Sequence, residues 1–132
     1  MPQLQNLVLT DRETTPATHT FTPRDIVGGV GVVEESTGVK VGDKTYSISV
    51  RTTPNKRIKV PIKMAVPVVV NETINGVTYP KVVRSAYVDC TFTFDASSTE
   101  QERENVVGMF QSAFDPSKTL VNDAVIKLQG VY

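Results

Sequence analysis

Ala86–Asp95 reads Ala-Tyr-Val-Asp-Cys-Thr-Phe-Thr-Phe-Asp, and Thr99–Glu102, which begins after three intervening residues, reads Thr-Glu-Gln-Glu. Apolar and polar side chains alternate in the first stretch, which predicts a β-strand with one apolar and one polar face. Thr99 and Glu102 have the spacing of a capping box, which predicts the start of a helix. The chain therefore changes from strand to helix near residue 95.

Two earlier stretches, Tyr46–Arg51 and Arg57–Met64, show the same alternation. In one antiparallel sheet the three strands would share an apolar face and expose a polar face. Pro61 cannot donate a ladder hydrogen bond, which predicts a bulge or an unpaired position there. The polar face would carry Ser47, Ser49, Arg51, Arg57, Lys59, Pro61, Lys63, Tyr87, Asp89, Thr91, Thr93 and Asp95.

Glycine, proline and asparagine mark the turns of the chain. Gly28–Gly31 lacks the spacing of a phosphate-binding loop and is interpreted as a turn or bulge. Asn75-Gly76 is a strong hairpin signal at the tip of a predicted ten-residue loop, Asn71–Pro80. Further short strands are predicted at Asn6–Thr10, Thr18–Phe21 and Val32–Glu35, and a buried run at Val66–Val70.

Apolar residues recur at helical spacing after residue 99, and Asp115-Pro116-Ser117 separates two predicted helices. Gly130 is predicted to end the second helix. Strands followed by helices indicate an α+β fold, here taken as one domain, 1–132, with strands in 1–95 and two helices in 96–132. Two short helices would leave part of the long apolar sheet face uncovered, which predicts coverage by a second subunit.

Composition and charge limit the function classes. The 132 residues are 39% hydrophobic and 21% charged, as in an ordinary globular protein. The N-terminal residues have no signal-peptide pattern, and no apolar run reaches the roughly 18 residues of a membrane helix. Net charge is zero, which alone argues against nucleic-acid binding. However, the segment from Lys40 to Lys63 holds seven basic residues and one acid, so the fold could gather a basic surface.

Residues for catalysis are scarce. His19 is the only histidine and is expected to be a surface residue, so a histidine-based metal site is not expected. Cys90 is the only cysteine; it excludes an internal disulfide, fits a reducing compartment and is expected to be a buried small hydrophobe. Asp89 and Asp95 would lie about 20 Å apart along one strand, too far for a glycosidase pair. We therefore expect no enzyme activity, no catalytic residue, no metal and no cofactor.

The ordered set of segments resembles the levivirus coat proteins, which are the coat proteins of small single-stranded RNA bacteriophages, the Q-beta-like group included. The resemblance covers essentially the whole length, although no single segment is a diagnostic motif. It is carried by Arg84–Phe94 running into Ser98–Arg103, by Thr20–Arg24, by Val50-Arg51 with Lys59 and Lys63, by Val66–Val68 and by Leu128–Tyr132.

The resemblance implies a fold, an assembly and a function. An N-terminal β-hairpin would precede an antiparallel sheet of about five strands and two C-terminal α-helices. Two subunits would form an intertwined homodimer with a continuous sheet, and dimers would build an icosahedral shell around viral RNA. The dimer would also bind an RNA hairpin and repress replicase translation. The protein would reside in the virion after assembly in the bacterial cytoplasm, with no membrane partner.

The resemblance also implies an RNA-binding site on the polar sheet face. Tyr87 matches the tyrosine that stacks on an unpaired loop base, and Asp89 matches its polar neighbour. Ser47, Ser49 and Lys63 match the residues of an adenine pocket. Single-stranded loops are commonly recognised in this way, by stacking on aromatic rings and by hydrogen bonds to base edges.

Four further positions complete the implied site. Arg51 and Lys59 match residues that contact the RNA backbone, and Val30 matches an apolar contact at the pocket wall. Pro61 stands where relatives carry a hydroxyl or amide side chain, and it offers neither group. The implied RNA-binding residues are Val30, Ser47, Ser49, Arg51, Lys59, Pro61, Lys63, Tyr87 and Asp89.

Two other function classes remain open from the sequence. One is a monomeric, sheet-based RNA-binding module without capsid assembly, although the paired aromatic residues of such sheets are missing. The other is a structural oligomer that is not viral. A closed particle seen by negative-stain microscopy would favour the coat protein over both.

Overall fold

The computed structural model describes residues 2–132, which form seven β-strands, one short 3-10 turn and two α-helices. The predicted α+β fold, with an N-terminal hairpin, an antiparallel sheet and two C-terminal helices, is confirmed. The seven strands of the sheet include the two strands of the N-terminal hairpin, β1 and β2. The elements are β1 Leu7–Thr10, β2 Thr18–Val27, β3 Val30–Glu35, the 3-10 turn Lys40–Gly42, β4 Lys44–Ile48, β5 Arg51–Thr52, β6 Arg57–Ile74, β7 Val77–Asp95, α1 Glu100–Ser112 and α2 Thr119–Val125.

The chain divides into two compact units, one ending at Thr93 and the other covering Phe94–Tyr132. The first unit holds nearly all of the sheet, and the second holds both helices. The interpretation of 1–132 as a single domain stays a prediction.

The strands are arranged in the order β1-β2-β3-β4-β6, with β5 following β4 along the same side of β6. β7 also pairs with β6 and therefore takes its opposite edge. Within residues 2–132, β6 is the only strand paired with β7, so the outer edge of β7 keeps unpaired backbone groups. Such an edge can accept another strand.

The β6–β7 hairpin corrects the predicted loop at Asn71–Pro80. β6 continues to Ile74 and β7 begins at Val77, so the connection is only the two-residue turn Asn75-Gly76. Both turn residues have positive φ, 53° and 79°, as a type I′ turn requires. The hairpin signal was therefore right and the extent of the loop was wrong, because ladder pairing continues nearly to the turn.

The predicted strand Tyr46–Arg51 is interrupted opposite Pro61. It forms β4 and β5, with residues 49 and 50 between them. Ser49 donates its backbone N–H to the carbonyl of Pro61 at 3.3 Å. Proline has no N–H to return the second hydrogen bond of such a pair, so the predicted unpaired position is confirmed here.

The first helix begins as predicted. The amide of Glu102 donates to the Thr99 hydroxyl at 3.2 Å, and the amide of Thr99 donates to the Glu102 carboxylate at 3.4 Å, which completes the capping box. The second helix ends at Val125 rather than at Gly130. Leu128 has a left-handed backbone, with φ 57°, so the helix cannot continue to the glycine.

Only two hydrophobic residues of the described chain, Phe21 and Val33, are buried. Val33, Tyr46 and Met64 are successive cross-strand partners and therefore share the apolar face of the sheet. In contrast, Phe110 is 45% exposed and Leu120 is 68% exposed in the single chain. Such a small core for 132 residues is typical of a subunit that needs a partner.

Candidate nucleic-acid interface

A cavity of about 300 Å³ opens on the polar face of the sheet, across β4, β6 and β7. Four of the predicted RNA-binding residues line it: Ser47, Lys63, Tyr87 and Asp89. The complete lining is Thr45, Ser47, Lys63, Met64, Ala65, Tyr87, Val88 and Asp89.

Strand register explains why these side chains meet. Ser47 is the direct cross-strand partner of Lys63, and Thr45 is the partner of Ala65. Direct partners lie on the same face with their Cβ atoms about 5 Å apart. Tyr87 and Asp89 are two residues apart on β7 and share a face as well. The cavity therefore combines two hydroxyls, a cation, a carboxylate and an aromatic ring.

Tyr87 is 78% exposed, although it is one of the larger hydrophobic side chains of the sheet. A ring that is available to solvent beside hydroxyl groups can stack on a planar base while the hydroxyls bond its edge. The arrangement therefore has the chemistry needed to hold one unpaired base.

The remaining predicted residues lie outside this cavity. Ser49, between β4 and β5, lies beside Pro61 of β6, as the 3.3 Å hydrogen bond between them shows. Val32 pairs with Ser47, and Val30 lies two residues before Val32 on the same face of β3. Pro61 and Val30 are half-buried.

Arg51 and Lys59 extend the polar face beyond the cavity. They are direct cross-strand partners on β5 and β6. Among the ion pairs found within residues 2–132, none includes Arg51, Lys59 or Lys63. Two adjacent cations without a carboxylate partner make a suitable contact for an anionic backbone.

Sequence reasoning missed four residues of the cavity: Thr45, Met64, Ala65 and Val88. Alternation assigned Met64 and Val88 to the apolar face. Thr45 stands two residues before Ser47, so the same alternation would have included it if the strand had been started at Lys44 rather than at Tyr46. Ala65 follows Lys63 by two residues, just beyond the predicted end of its strand at Met64.

Two further features are absent from the described residues 2–132. No group of three or more His, Cys, Asp or Glu side chains is placed to hold a metal ion in residues 2–132. In the same range, neither helix is long and apolar enough to span a membrane.

Comparisons with known proteins identify the family of this chain. Residues 2–132 match the family described as levivirus coat protein. The chain is 53% identical over 130 residues to the capsid protein of Pseudomonas phage PRR1, covering 98% of this chain and 99% of that one. It is 31% identical over 130 residues to the capsid protein of Escherichia virus Qbeta, covering 97% and 87%.

Solved structures show the same fold. A virus-like particle of bacteriophage NT-214 superposes with a TM-score of 0.84 at 26% identity, covering 99% of this chain and all of that one. The capsid protein of bacteriophage GA gives a TM-score of 0.84 at 22% identity, with 98% of each chain covered, and shows likeness of fold. The fold and the sequence matches together define a viral structural protein. More specifically, the chain belongs to the levivirus coat protein family.

Proposed function

We propose that this capsid protein forms a homodimer, that the dimers assemble into an icosahedral shell around genomic RNA, and that the dimer binds an RNA hairpin to repress replicase translation. In this proposal the protein is not an enzyme, needs no cofactor, assembles in the bacterial cytoplasm and resides in the virion. The observation that carries the RNA-binding part is the cavity that places Tyr87 beside Ser47 and Lys63.

Exposed apolar surface supports the dimer. The outer edge of β7 is unpaired within residues 2–132, and Val88 on that strand is 53% exposed. Phe110 and Phe114 of the helical unit are 45% and 41% exposed. Apolar surface of this extent is costly in water and is usually covered by a partner. A second copy that pairs edge to edge at β7 would continue the sheet and satisfy its backbone groups.

Relatives support the assembly. The PRR1 relative is a capsid protein, and this chain matches nearly its whole length. The NT-214 neighbour was solved as a virus-like particle. A closed shell that holds RNA also needs an RNA-attracting inner surface, although the net charge of this chain is zero. The polar sheet face, with Arg51, Lys59 and Lys63, meets that need.

Hairpin binding is best tested at Tyr87. Tyr87→Ala is expected to weaken binding of the hairpin from the viral replicase start by about 1–3 kcal/mol, the usual worth of one base–aromatic stack. The change should leave the salt dependence of binding nearly unaltered, since a stack neutralises no phosphate. The measurement is hairpin affinity at several salt concentrations, compared with a scrambled hairpin of equal length.

Tyr79→Ala is the matched control, because Tyr79 lies on the same strand, outside the cavity lining, and is 38% exposed. It should leave hairpin affinity unchanged. Equal hairpin affinity for Tyr87→Ala and the wild type would refute the recognition site, whereas the capsid assignment would stand. Negative-stain microscopy of the same samples tests assembly: a folded, monodisperse monomer that binds RNA would favour the monomeric RNA-binding module instead.

A further inference from the structure

His19 on β2 joins two carboxylates outside the polar sheet face. Its Nε2 lies 2.7 Å from Oδ2 of Asp11, and its Nδ1 lies 2.9 Å from Oε2 of Glu35. His19 and Asp11 side chains are 28% and 30% exposed, and Glu35 is 19% exposed. The only histidine is thus half-buried and engaged at both ring nitrogens, rather than the simple surface residue expected from the sequence.

This geometry requires the doubly protonated ring. A neutral imidazole carries one N–H and can donate to only one carboxylate, while its other nitrogen would face an acceptor without a proton. The imidazolium donates from both nitrogens and forms two charge-assisted hydrogen bonds. Loss of one proton therefore removes one hydrogen bond and leaves two carboxylates facing a neutral ring.

The charged groups around His19 come from three other parts of the chain. Asp11 follows β1, Glu35 ends β3, and Lys44 begins β4 and lies 3.3 Å from Glu35. Arg12 and Glu13 are the other charged residues of the loop after Asp11. Lys44 neutralises part of the charge of Glu35, but no ion pair found in residues 2–132 joins Asp11 to a cation other than His19.

Asp11 also forms hydrogen bonds with the backbone of the loop. Its Oδ1 accepts hydrogen bonds from the amides of Glu13 at 3.2 Å and Ala17 at 3.0 Å, and its own amide donates to the Ala17 carbonyl at 3.1 Å. One carboxylate therefore shapes residues 11–17 with one oxygen and holds His19 with the other. The imidazolium joins this loop to Glu35 at the end of β3.

We propose that His19 is a pH-sensitive switch that holds the 11–17 loop against the end of β3 when protonated and releases it when deprotonated. Residues 11–17 then become more open as pH rises. The switch lies outside the proposed RNA-binding face. It therefore acts on the loop that connects β1 and β2, not on that face.

The direction follows from the pKa values. The hydrogen bond to Asp11, and then that to Glu35, raise the pKa of His19 above its ordinary 6.5. A raised folded-state pKa means that the stabilisation is complete below 6.5 and is lost as pH rises through the folded value. Backbone hydrogen bonds from Ala17 and then the contact with His19 lower the pKa of Asp11 to about 2, so this carboxylate stays ionised throughout.

The presence of a single histidine makes the protonation directly measurable. Hydrogen–deuterium exchange at the imidazole C2 position of the full-length protein is followed by mass spectrometry over about pH 5–10, a range that brackets the ordinary histidine pKa. It gives the pH at which His19 is half protonated, its midpoint. A midpoint above 6.5 is expected. Glu35→Gln should lower the midpoint, whereas Glu72→Gln, which removes a carboxylate paired with Lys81 in the β6–β7 hairpin, should leave it unchanged.

Loop opening has its own measurement. Trypsin cleaves after Arg12, which is exposed within the loop, and the cleavage rate at each pH is divided by that of an unstructured reference peptide. The corrected rate should rise by about two- to fivefold through the His19 midpoint, the range for a partly exposed ion pair. His19→Gln should remove this rise.

Two results would overturn the switch. One is a midpoint at or below 6.5 in the wild-type protein, a measurement that depends on no variant. The other is a corrected cleavage rate that stays level through the midpoint, or that rises equally in His19→Gln.

Discussion

Arg51 and Lys59 are direct cross-strand partners on β5 and β6, so two cations face each other on the polar side of the sheet. Like charges in this position destabilise a sheet by roughly 0.2–1 kcal/mol. A phosphate placed between them would reverse the sign of that interaction, because it attracts both. The pair therefore favours an anionic ligand on this face, although the net charge of the chain is zero.

Lys59→Ala is expected to weaken binding of all RNAs rather than of one hairpin. Removal of one phosphate contact should flatten the plot of log affinity against log salt by about 0.7–0.9. Unfolding measured without RNA should show no loss of stability, since a repulsive pair is removed. Lys127→Ala is the control, because Lys127 pairs with Asp123 on the helical unit. An unchanged salt slope for Lys59→Ala would contradict the role assigned to the pair.

Ser47 and Pro61 should differ in their effect on hairpin binding. Ser47 lines the cavity and Pro61 does not. Ser47→Ala should lower hairpin affinity by about 0.5–1.5 kcal/mol through loss of one hydrogen bond. Pro61→Thr, which supplies a hydroxyl, should change affinity by less than that amount. Tight binding gained only on Pro61→Thr would show that the base lies further along β6 than the cavity indicates.

Phe110→Ala tests the dimer. Phe110 packs edge to face against Phe114, with ring centroids 5.1 Å apart, yet it is 45% exposed in the single chain. If a partner covers it, the truncation should cost about 3–5 kcal/mol and make the melting temperature depend strongly on concentration. Val27→Ala, at a residue 64% exposed beside the β2–β3 turn, is the control. Sedimentation that shows a folded wild-type monomer at micromolar concentration would rule out the obligate dimer.

The tip of the β6–β7 hairpin should tune the shell rather than the dimer. The hydroxyls of Thr73 and Thr78 lie 2.9 Å apart, and Lys81 pairs with Glu72 at 3.4 Å, so the hairpin carries its own cross-strand contacts. Deleting one cross-strand pair beside Asn75-Gly76, that is, one residue from β6 and one from β7, should leave dimers intact. Particle size or yield should change. Gel filtration and electron microscopy measure these outcomes, and failure to dimerise would place the tip within the fold.

The ionised Asp11 carboxylate is expected to contribute to the pH dependence of folding stability in acid. Its pKa is lowered from 3.8 to about 2, so its contribution to stability is present above 3.8 and is lost as pH falls toward 2. Asp11→Asn should flatten the fall in stability over that interval, whereas Asp25→Asn should retain it. Denaturant unfolding at a series of pH values provides the comparison, and parallel curves for wild type and Asp11→Asn would disprove the linkage.

Local pattern was sufficient for several features. Alternation placed Ser47, Lys63, Tyr87 and Asp89 on one face, and register brought all four to one cavity. The capping box at Thr99 located the start of α1 to the residue. These features depend on neighbours in sequence, since side-chain direction in a strand and satisfaction of the first helical amides are both local properties.

Tertiary structure decided what local pattern could not. The inclusion of Thr45 and Ala65 in the cavity depends on the pairing of β4 with β6, which joins residues far apart in sequence. The bonding of His19 to Asp11 and Glu35 likewise required three segments to meet. The sequence by itself determined which strand faces are polar and where α1 begins, because periodicity and capping act within a few residues. Only the folded sheet decided which side chains share a site, because strand register is set by contacts between distant segments.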